Sequence, residues 1–193
     1  VLIYVIQDVT KMALDATAAA IIVVHSDQPA GHAGVEIAQV EALCALSNAT
    51  ECFFTDDLEE GEALVVARRI AIPSVEKMGT VLMEDVGVPL PRLGDLVMGI
   101  EQISQHRDVI IAVIAHAGDG NTHPLLVVNP NDPAQQARAE IAYGEVMDLA
   151  ISLGGTITGE HGVGRLKKPW LADYLGDDVL ELNHRIKTAL DPA

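Results

Sequence analysis

Two glycine-rich segments of the sequence carry side chains of the types that bind metal ions. The first contains His116 and His123 within the letters AHAGDGNTH, and the second contains Glu160 and His161 within the letters GEHGVG. Imidazole nitrogen and carboxylate oxygen are common metal ligands, and three such ligands with an open fourth position are typical of catalytic rather than structural sites. The pattern therefore predicts a catalytic metal centre that unites the two segments.

The spacing of the first segment requires a curled backbone. Six residues separate His116 from His123, a spacing that neither a helix nor a strand brings to one face, whereas Gly118 and Gly120 allow a tight loop. Taken alone, the segment also fits an ordinary hairpin loop whose histidines are exposed or satisfied in the core. Asp119 fits the turn itself better than a role in holding a histidine ring.

The second segment favours the functional interpretation. Glu160 and His161 form a charged pair between glycines, which has no evident packing role, although an ordinary exposed turn is the alternative. In the metal hypothesis Glu160 completes the ligand set with His116 and His123. His161 is adjacent in sequence but points elsewhere, so it is left to act as a base, and a neutral histidine takes up protons in the neutral pH range.

The basic residues are few and include candidates for binding an anionic substrate. The chain has only 12 lysines and arginines. Most are expected to be solvated charges or surface ion pairs, yet one could clamp a carboxylate in the forked geometry of arginine. The candidates are Arg68, Arg69, Arg165, Lys167 and Lys168.

Composition excludes several classes of function. Aromatic residues make up only 3% of the 193 residues and the formal net charge is -16, which argues against binding to nucleic acid or to anionic membranes. The longest apolar run, residues 18–24, is far shorter than the ~20 residues of a membrane span. The length and the 49% hydrophobic content predict one domain, and the acidic charge predicts a soluble protein. We expect Cys44 and Cys52 to be buried, reduced thiols, as in a cytoplasmic protein.

Apolar periodicity predicts the elements that position the two segments. Strands are expected at residues 18–25, 51–55, 80–88, 109–115 and 125–128. Helices are expected at residues 35–46, 56–72, 93–105, 133–153 and 179–190, with Pro73 ending the second of them. The first glycine-rich segment then forms the loop of a hairpin. We therefore predict an α+β fold, specifically a ferredoxin-like α/β sandwich with an antiparallel sheet and helices packed on one face.

The two segments also carry a family resemblance. The letters HAGDGNTH at 116–123, joined with GEHGVGRLKK at 159–168, resemble the C-terminal domain of FAD-linked oxidases. The similar branch contains D-lactate dehydrogenases, glycolate oxidase D-subunits and D-2-hydroxyglutarate dehydrogenases. Further similarity lies in MEDVGVP at 83–89 and in RIKTALDP at 185–192.

The resemblance implies a domain arrangement and a role for each candidate residue. Residues 1–193 are then the C-terminal domain of a larger enzyme whose N-terminal FAD-binding domain is absent from this sequence, with residues 1–14 as a remnant of the preceding segment. By the same resemblance, the cofactors are FAD and a divalent zinc, iron or manganese ion. The implied roles are metal ligand for His116, His123 and Glu160, catalytic base for His161, flavin-edge contact for Asn121, and substrate carboxylate clamp for Arg68.

The implied activity is oxidation of a small D-2-hydroxy acid to the 2-oxo acid, with hydride transfer to FAD. Met83 and Leu125 stand where hydroxyglutarate-type relatives have a basic and a polar residue, so a monocarboxylate such as D-lactate or glycolate is expected. The fragment alone is expected to be inactive. Its expected partners are the substrate and the FAD domain of the same polypeptide, whereas an electron-transfer partner and a homodimer stay open.

Two alternatives to this interpretation belong to other classes of protein. The first is a stand-alone metal-dependent hydrolase that uses the same two histidines and glutamate with a metal-bound water. The second is a non-catalytic interaction module whose glycine loops bind a partner. A protein without flavin absorbance that cleaves esters or amides would favour the hydrolase, whereas the absence of bound divalent metal would favour the module.

Overall fold

The computed structural model describes residues 2–10, 14–15 and 17–192, so that positions 1 and 11–13 of the expected remnant lie outside the described residues. The chain divides into two compact units, Val1–Ser74 and Val75–Ala193. The α-helices are α1 (Leu2–Thr10), α2 (Ala30–Leu46), α3 (Leu58–Arg69), α4 (Ala71–Glu76), α5 (Leu93–Arg107), α6 (Pro133–Ser152), α7 (Leu171–Leu175) and α8 (Asp177–Leu190). The strands are β1 (Thr80–Met83), β2 (Val86–Gly87), β3 (Ile110–His116) and β4 (Asn121–Val128). Within the described residues, no helix combines the length and the apolar composition that crossing a bilayer requires.

Helices dominate the first unit. α2 confirms the first predicted helix, and α3 begins near the predicted position because Asp57 caps it. The Asp57 carboxylate accepts hydrogen bonds from the backbone N–H groups of Glu59 and Glu60 at 2.8 and 3.0 Å. α3 ends at Arg69, and Pro73 lies in the first turn of α4, where a missing N–H costs little.

Two predicted strands of this unit are wrong. Residues 18–25 and 51–55 form no strand, and the first of these segments exposes apolar side chains, with Ile22 72% exposed. β-branched and aromatic residues favour strands only where a neighbouring strand provides hydrogen bonds and a packed face, and no described strand pairs with either segment. Cys52 is accordingly exposed in an irregular segment, contrary to prediction, whereas Cys44 lies on α2 as predicted and is half-buried.

The second unit is built on an antiparallel sheet with β4 at its centre. β3 pairs with β4 as the predicted hairpin, and β1 and β2 lie end to end on the other side of β4. The sequence predicts one strand at 80–88, but the ladder is interrupted at Glu84 and Asp85. Pro124 of β4 lies opposite Glu84, and it accepts the Glu84 N–H at 2.8 Å but has no N–H to donate in return.

The helices α5 and α6 pack against one face of this sheet and confirm the predictions at 93–105 and 133–153. The core between them and the sheet includes Leu96, Ile100, Leu126, Val128, Val146 and Met147. After α6, Thr156 forms a bridge with Gly87 at the outer edge of β2. The order β–α–β–β–α, followed by this bridge, is that of a ferredoxin-like unit. The α+β fold with an antiparallel sheet is thereby confirmed.

Gly120 closes the turn between β3 and β4 in a left-handed conformation. Its φ is +81°, and a Cβ there would lie 2.2 Å from the Val88 carbonyl oxygen. We expect Gly120→Ala to lower the free energy of unfolding by roughly 2–3 kcal/mol, because the strained φ and the backbone clash both oppose it. Gly118→Ala is the control in the same turn, since its Cβ position is open. Urea unfolding followed by circular dichroism measures both variants, and equal stabilities would contradict the prediction.

Candidate active site

The pairing of β3 with β4 brings His116 and His123 together. His116 is paired with Asn121, and side chains two residues apart in a strand share a face, so Asn121 and His123 point to the same side as His116. The two imidazole rings are perpendicular, with centroids 5.3 Å apart. The expectation that a curled loop unites the histidines is therefore wrong. The register of two strands unites them, and the glycine turn closes the hairpin.

The site lies on the sheet face opposite to α5 and α6. Side chains alternate along β4, so His123 points away from the core side chains of Leu126 and Val128. His123 is nevertheless only 5% exposed, and this burial, together with the neighbouring His161, lowers its pKa. The neutral imidazole that results is the form that binds a metal ion.

Glu160 faces three imidazole rings from the loop that follows Thr156. Its Oε1 lies 3.1 Å from Nε2 of His123 and 3.6 Å from Nε2 of both His116 and His161. The ligand atoms of His116, His123 and Glu160 all lie within 4.8 Å of one another. The structure thus brings the three predicted ligands together, and two nitrogen donors with one oxygen donor fit a divalent metal ion.

His161 lies beside this group. Its ring stacks on that of His123, with centroids 4.8 Å apart and an interplanar angle of 10°, and its side chain is 45% exposed. His161 also belongs to a second group of potential ligands with Asp85 and His123. Its function as a base rather than a ligand stays a prediction.

Asp85 is a site residue that sequence reasoning missed. Its Oδ2 accepts four hydrogen bonds, from Thr158 Oγ1 at 2.9 Å and from the backbone N–H groups of Gly159, Glu160 and His161 at 2.9, 3.0 and 2.8 Å. Burial alone would raise the pKa of Asp85, but these bonds hold it at about 2. The available signal was an acidic pair, Glu-Asp, in the middle of a predicted apolar strand.

Asn121 supports the same loop. A Cβ at Gly159 would lie 2.4 Å from Asn121 Oδ1, so the amide occupies the space that a side chain at 159 would need. Asn121, Glu160 and Val88 are among the residues that line an adjoining groove of about 500 Å³. The predicted contact of Asn121 with the flavin edge stays a prediction.

The other polar candidates divide into three groups. Asp119 accepts a hydrogen bond from the Asn121 N–H at 3.0 Å, which confirms its interpretation as a turn residue. Arg68 lies on α3 in the first unit, and its predicted role as a carboxylate clamp stays a prediction. Arg165 and Lys168 are exposed, as expected for solvated charges, but Lys167 is only 5% exposed.

Lys167 and Glu84 form a buried pair on the helix-facing side of the sheet. Glu84 is fully buried, Lys167 Nζ lies 3.8 Å from its Oε2, and no described group makes a hydrogen bond of normal geometry to either carboxylate oxygen. Burial raises the pKa of Glu84 to about 8, although the lysine opposes this shift. Burial and the Glu84 carboxylate also raise the pKa of Tyr143 on α6.

Glu84→Gln is expected to change the pH dependence of stability. Because the folded-state pKa of Glu84 is about 8, the folded protein keeps a proton that the unfolded chain loses near its ordinary value of 4.5. The stability that this proton provides is present at low pH and is lost as pH rises from about 5 to 8, at up to about 1.4 kcal/mol per pH unit. The variant should lack this slope in urea unfolding between pH 5 and pH 8. Glu140→Gln, on the exposed side of α6, is the control and should keep the wild-type slope. If wild type and Glu84→Gln had the same slope, the prediction would be wrong.

Comparisons with known proteins confirm the family resemblance. The family model for FAD linked oxidases, C-terminal domain, matches residues 3–193. The glycolate oxidase subunit GlcD of Bacillus subtilis (strain 168) is 34% identical over 189 residues, which cover 97% of this chain and 40% of that protein. GlcD of Escherichia coli (strain K12) is 33% identical over 155 residues, covering 80% of this chain and 31% of that protein.

A third relative is named as a dehydrogenase rather than as an oxidase subunit. The mitochondrial D-lactate dehydrogenase (cytochrome) of Arabidopsis thaliana is 33% identical over 156 residues, covering 79% of this chain and 28% of that protein. The chain thus spans less than half the length of each of these relatives. Since the family model matches it almost from end to end, the chain belongs to the FAD linked oxidases, C-terminal domain family.

Proposed function

We propose that this chain is the substrate- and metal-binding part of a flavin-dependent dehydrogenase that oxidises a small D-2-hydroxy acid to the 2-oxo acid. The observation that carries the proposal is the arrangement of Glu160, whose Oε1 faces the Nε2 atoms of His116, His123 and His161 at 3.1 to 3.6 Å. The names of the relatives support the same reaction class, since they are glycolate oxidase subunits and a D-lactate dehydrogenase.

The residues divide the chemistry between them. His116, His123 and Glu160 would hold the metal ion, and the Glu160 side chain, which is 54% exposed, leaves the site open to a substrate. When bound, a divalent ion supplies Lewis-acid polarisation of a hydroxyl group, and FAD accepts a hydride. His161 takes up the hydroxyl proton at Nε2, which lies on the same side as the ligand atoms.

The position of His161 supports its assignment as the base. Its ring stacks on His123, which fixes one face, while 45% of its side chain remains exposed for contact with a substrate. Its Nε2 lies 3.6 Å from Oε1 of Glu160, beside the proposed ligand atoms. A base that is partly held and partly accessible fits general-base catalysis.

The remaining parts of the proposal concern other groups. The FAD domain of the same polypeptide would provide the flavin, Asn121 would lie near the flavin edge, and Arg68 would bind the substrate carboxylate. The proposed metal is zinc, iron or manganese, since imidazole and carboxylate suit all three. A cytoplasmic location, D-lactate or glycolate as the substrate, a separate electron acceptor and a homodimer stay predictions.

Reduction of an artificial dye by the protein together with its FAD domain tests the proposal. D-Lactate and glycolate are the test substrates, L-lactate and D-2-hydroxyglutarate are the comparisons, and a parallel sample is treated with a metal chelator. We expect reduction with a D-2-hydroxy monocarboxylate, and we expect the chelator to abolish it. Ester or amide hydrolysis without flavin absorbance would instead establish the hydrolase alternative.

A further inference from the structure

The loop that carries Glu160 and His161 is held at both ends by hydrogen bonds to Asp85. At its beginning, Asp85 Oδ2 accepts the hydrogen bonds from residues 158–161. At its end, Lys167 Nζ donates a 2.6 Å hydrogen bond to the backbone carbonyl of Asp85. Both ties therefore converge on Asp85, at the interruption between β1 and β2.

The stretch between the two ties has little packing of its own. Gly162 and Gly164 have φ values of +82° and +56°, and open space surrounds the Cβ position of each. Leu166 is 68% exposed, and Val163 packs only at the edge of the core. The ties at the two ends, rather than packing in the middle, therefore determine where the loop lies.

Lys167 holds the end of the loop with a buried ammonium group. Its side chain is 6% exposed and its ammonium group reaches across to a backbone carbonyl and to the fully buried Glu84. Burying an ammonium group has a large desolvation cost, which a structural role at a loop end does not require, because an apolar side chain would fill the same space. What an apolar side chain could not do is donate a hydrogen bond to the Asp85 carbonyl.

We propose that Lys167 is a positioning residue of the metal site, which sets where Glu160 lies relative to His116 and His123 by fixing Asp85 and the end of the loop. The inference rests on the metal site of the proposed function. Loss of Lys167 leaves the ligands themselves unchanged but releases the loop that presents one of them. Loss of a residue that supports the ligands from outside the ligand set typically weakens metal binding by about 10- to 100-fold.

The test compares Zn²⁺ affinity with stability in the complete protein. Zn²⁺ alone is titrated in competition with a chromophoric chelator, and thermal unfolding is followed by circular dichroism. The variants are Lys167→Met and the double variant Glu84→Gln/Lys167→Met, in which the buried side chain at position 84 is neutral without taking up a proton on folding. Lys168→Met is the matched control, since it removes the same charge from the neighbouring, exposed position.

We expect Lys167→Met to weaken Zn²⁺ binding by about 10- to 100-fold and to lower the unfolding temperature. In the double variant, the unfolding temperature should recover while Zn²⁺ binding stays weak, and Lys168→Met should match wild type in both. Recovery of Zn²⁺ affinity together with stability would overturn the proposal, because Lys167 would then have only a structural role. Wild-type protein that binds no Zn²⁺ would overturn the metal site itself, and the two failures are therefore distinguishable.

Discussion

His123→Ala is expected to weaken Zn²⁺ binding by more than about 100-fold, which exceeds the usual effect of losing a partner outside the ligand set. His123 is the most buried of the three predicted ligands, and its Nε2 makes the closest approach to Glu160, at 3.1 Å. Oxidation of the hydroxy acid should fall with the metal. Isothermal titration with Zn²⁺ and dye reduction measure the two effects.

The control for this variant is His106→Ala, which removes an exposed imidazole from α5 in the same unit. Circular dichroism establishes that the His123 variant is folded, and His123→Gln is a second variant that keeps a polar side chain in the buried position. If both His123 variants bound Zn²⁺ as tightly as wild type, the proposed ligand set would be wrong.

His161→Ala is expected to lower the reaction rate without a comparable loss of Zn²⁺ binding, because losing a base removes a proton acceptor whereas losing a ligand releases the metal ion. We expect the rate of dye reduction to fall by about 100- to 10,000-fold, the usual contribution of a general base, while Zn²⁺ affinity changes by no more than a few-fold. His161 is the candidate base because its exposed ring lies beside the ligands.

Zn²⁺ affinity separates the two roles of His161. A loss of binding as large as that of His123→Ala would show that His161 is a ligand in the group that it forms with His123 and Asp85. An unchanged rate would show that it is not the base. Arg165→Ala, at an exposed position of the same loop, is the control for general effects of substitution there.

The candidate ligands are recognisable in the sequence because their chemistry is local. Histidine and glutamate between glycines are candidate metal ligands by residue type alone, and the structure brings His116, His123 and Glu160 together. Asp85 was missed, and Lys167 was considered only as a substrate clamp or a solvated charge, because their contacts with the loop and with each other span 73 to 82 residues of sequence. A carboxylate that accepts backbone N–H groups and a buried lysine have no spacing pattern of their own.

The same distinction applies to the fold. α5 and α6 are predictable because helical periodicity depends on the segment itself, and the core confirms it. The strands expected at 18–25 and 51–55 are wrong because a strand also depends on a partner, which propensity does not provide. The interruption of the strand at 80–88 has its cause in another strand, at Pro124, and is therefore invisible in the segment where it occurs.

The placement of Glu84 and Asp85 on opposite faces of the sheet links the assembly of the site to the register of the strands. If the segment from β1 to β2 slipped by one residue along β4, each of its side chains would turn to the other face of the sheet. Glu84 and Asp85 would then exchange faces. Glu84 would then leave Lys167 and Asp85 would enter the core beside Tyr143. A chain in which α6 packs correctly on the sheet therefore also has Asp85 oriented toward the Glu160 loop. A chain with the wrong register loses both the core packing and the site.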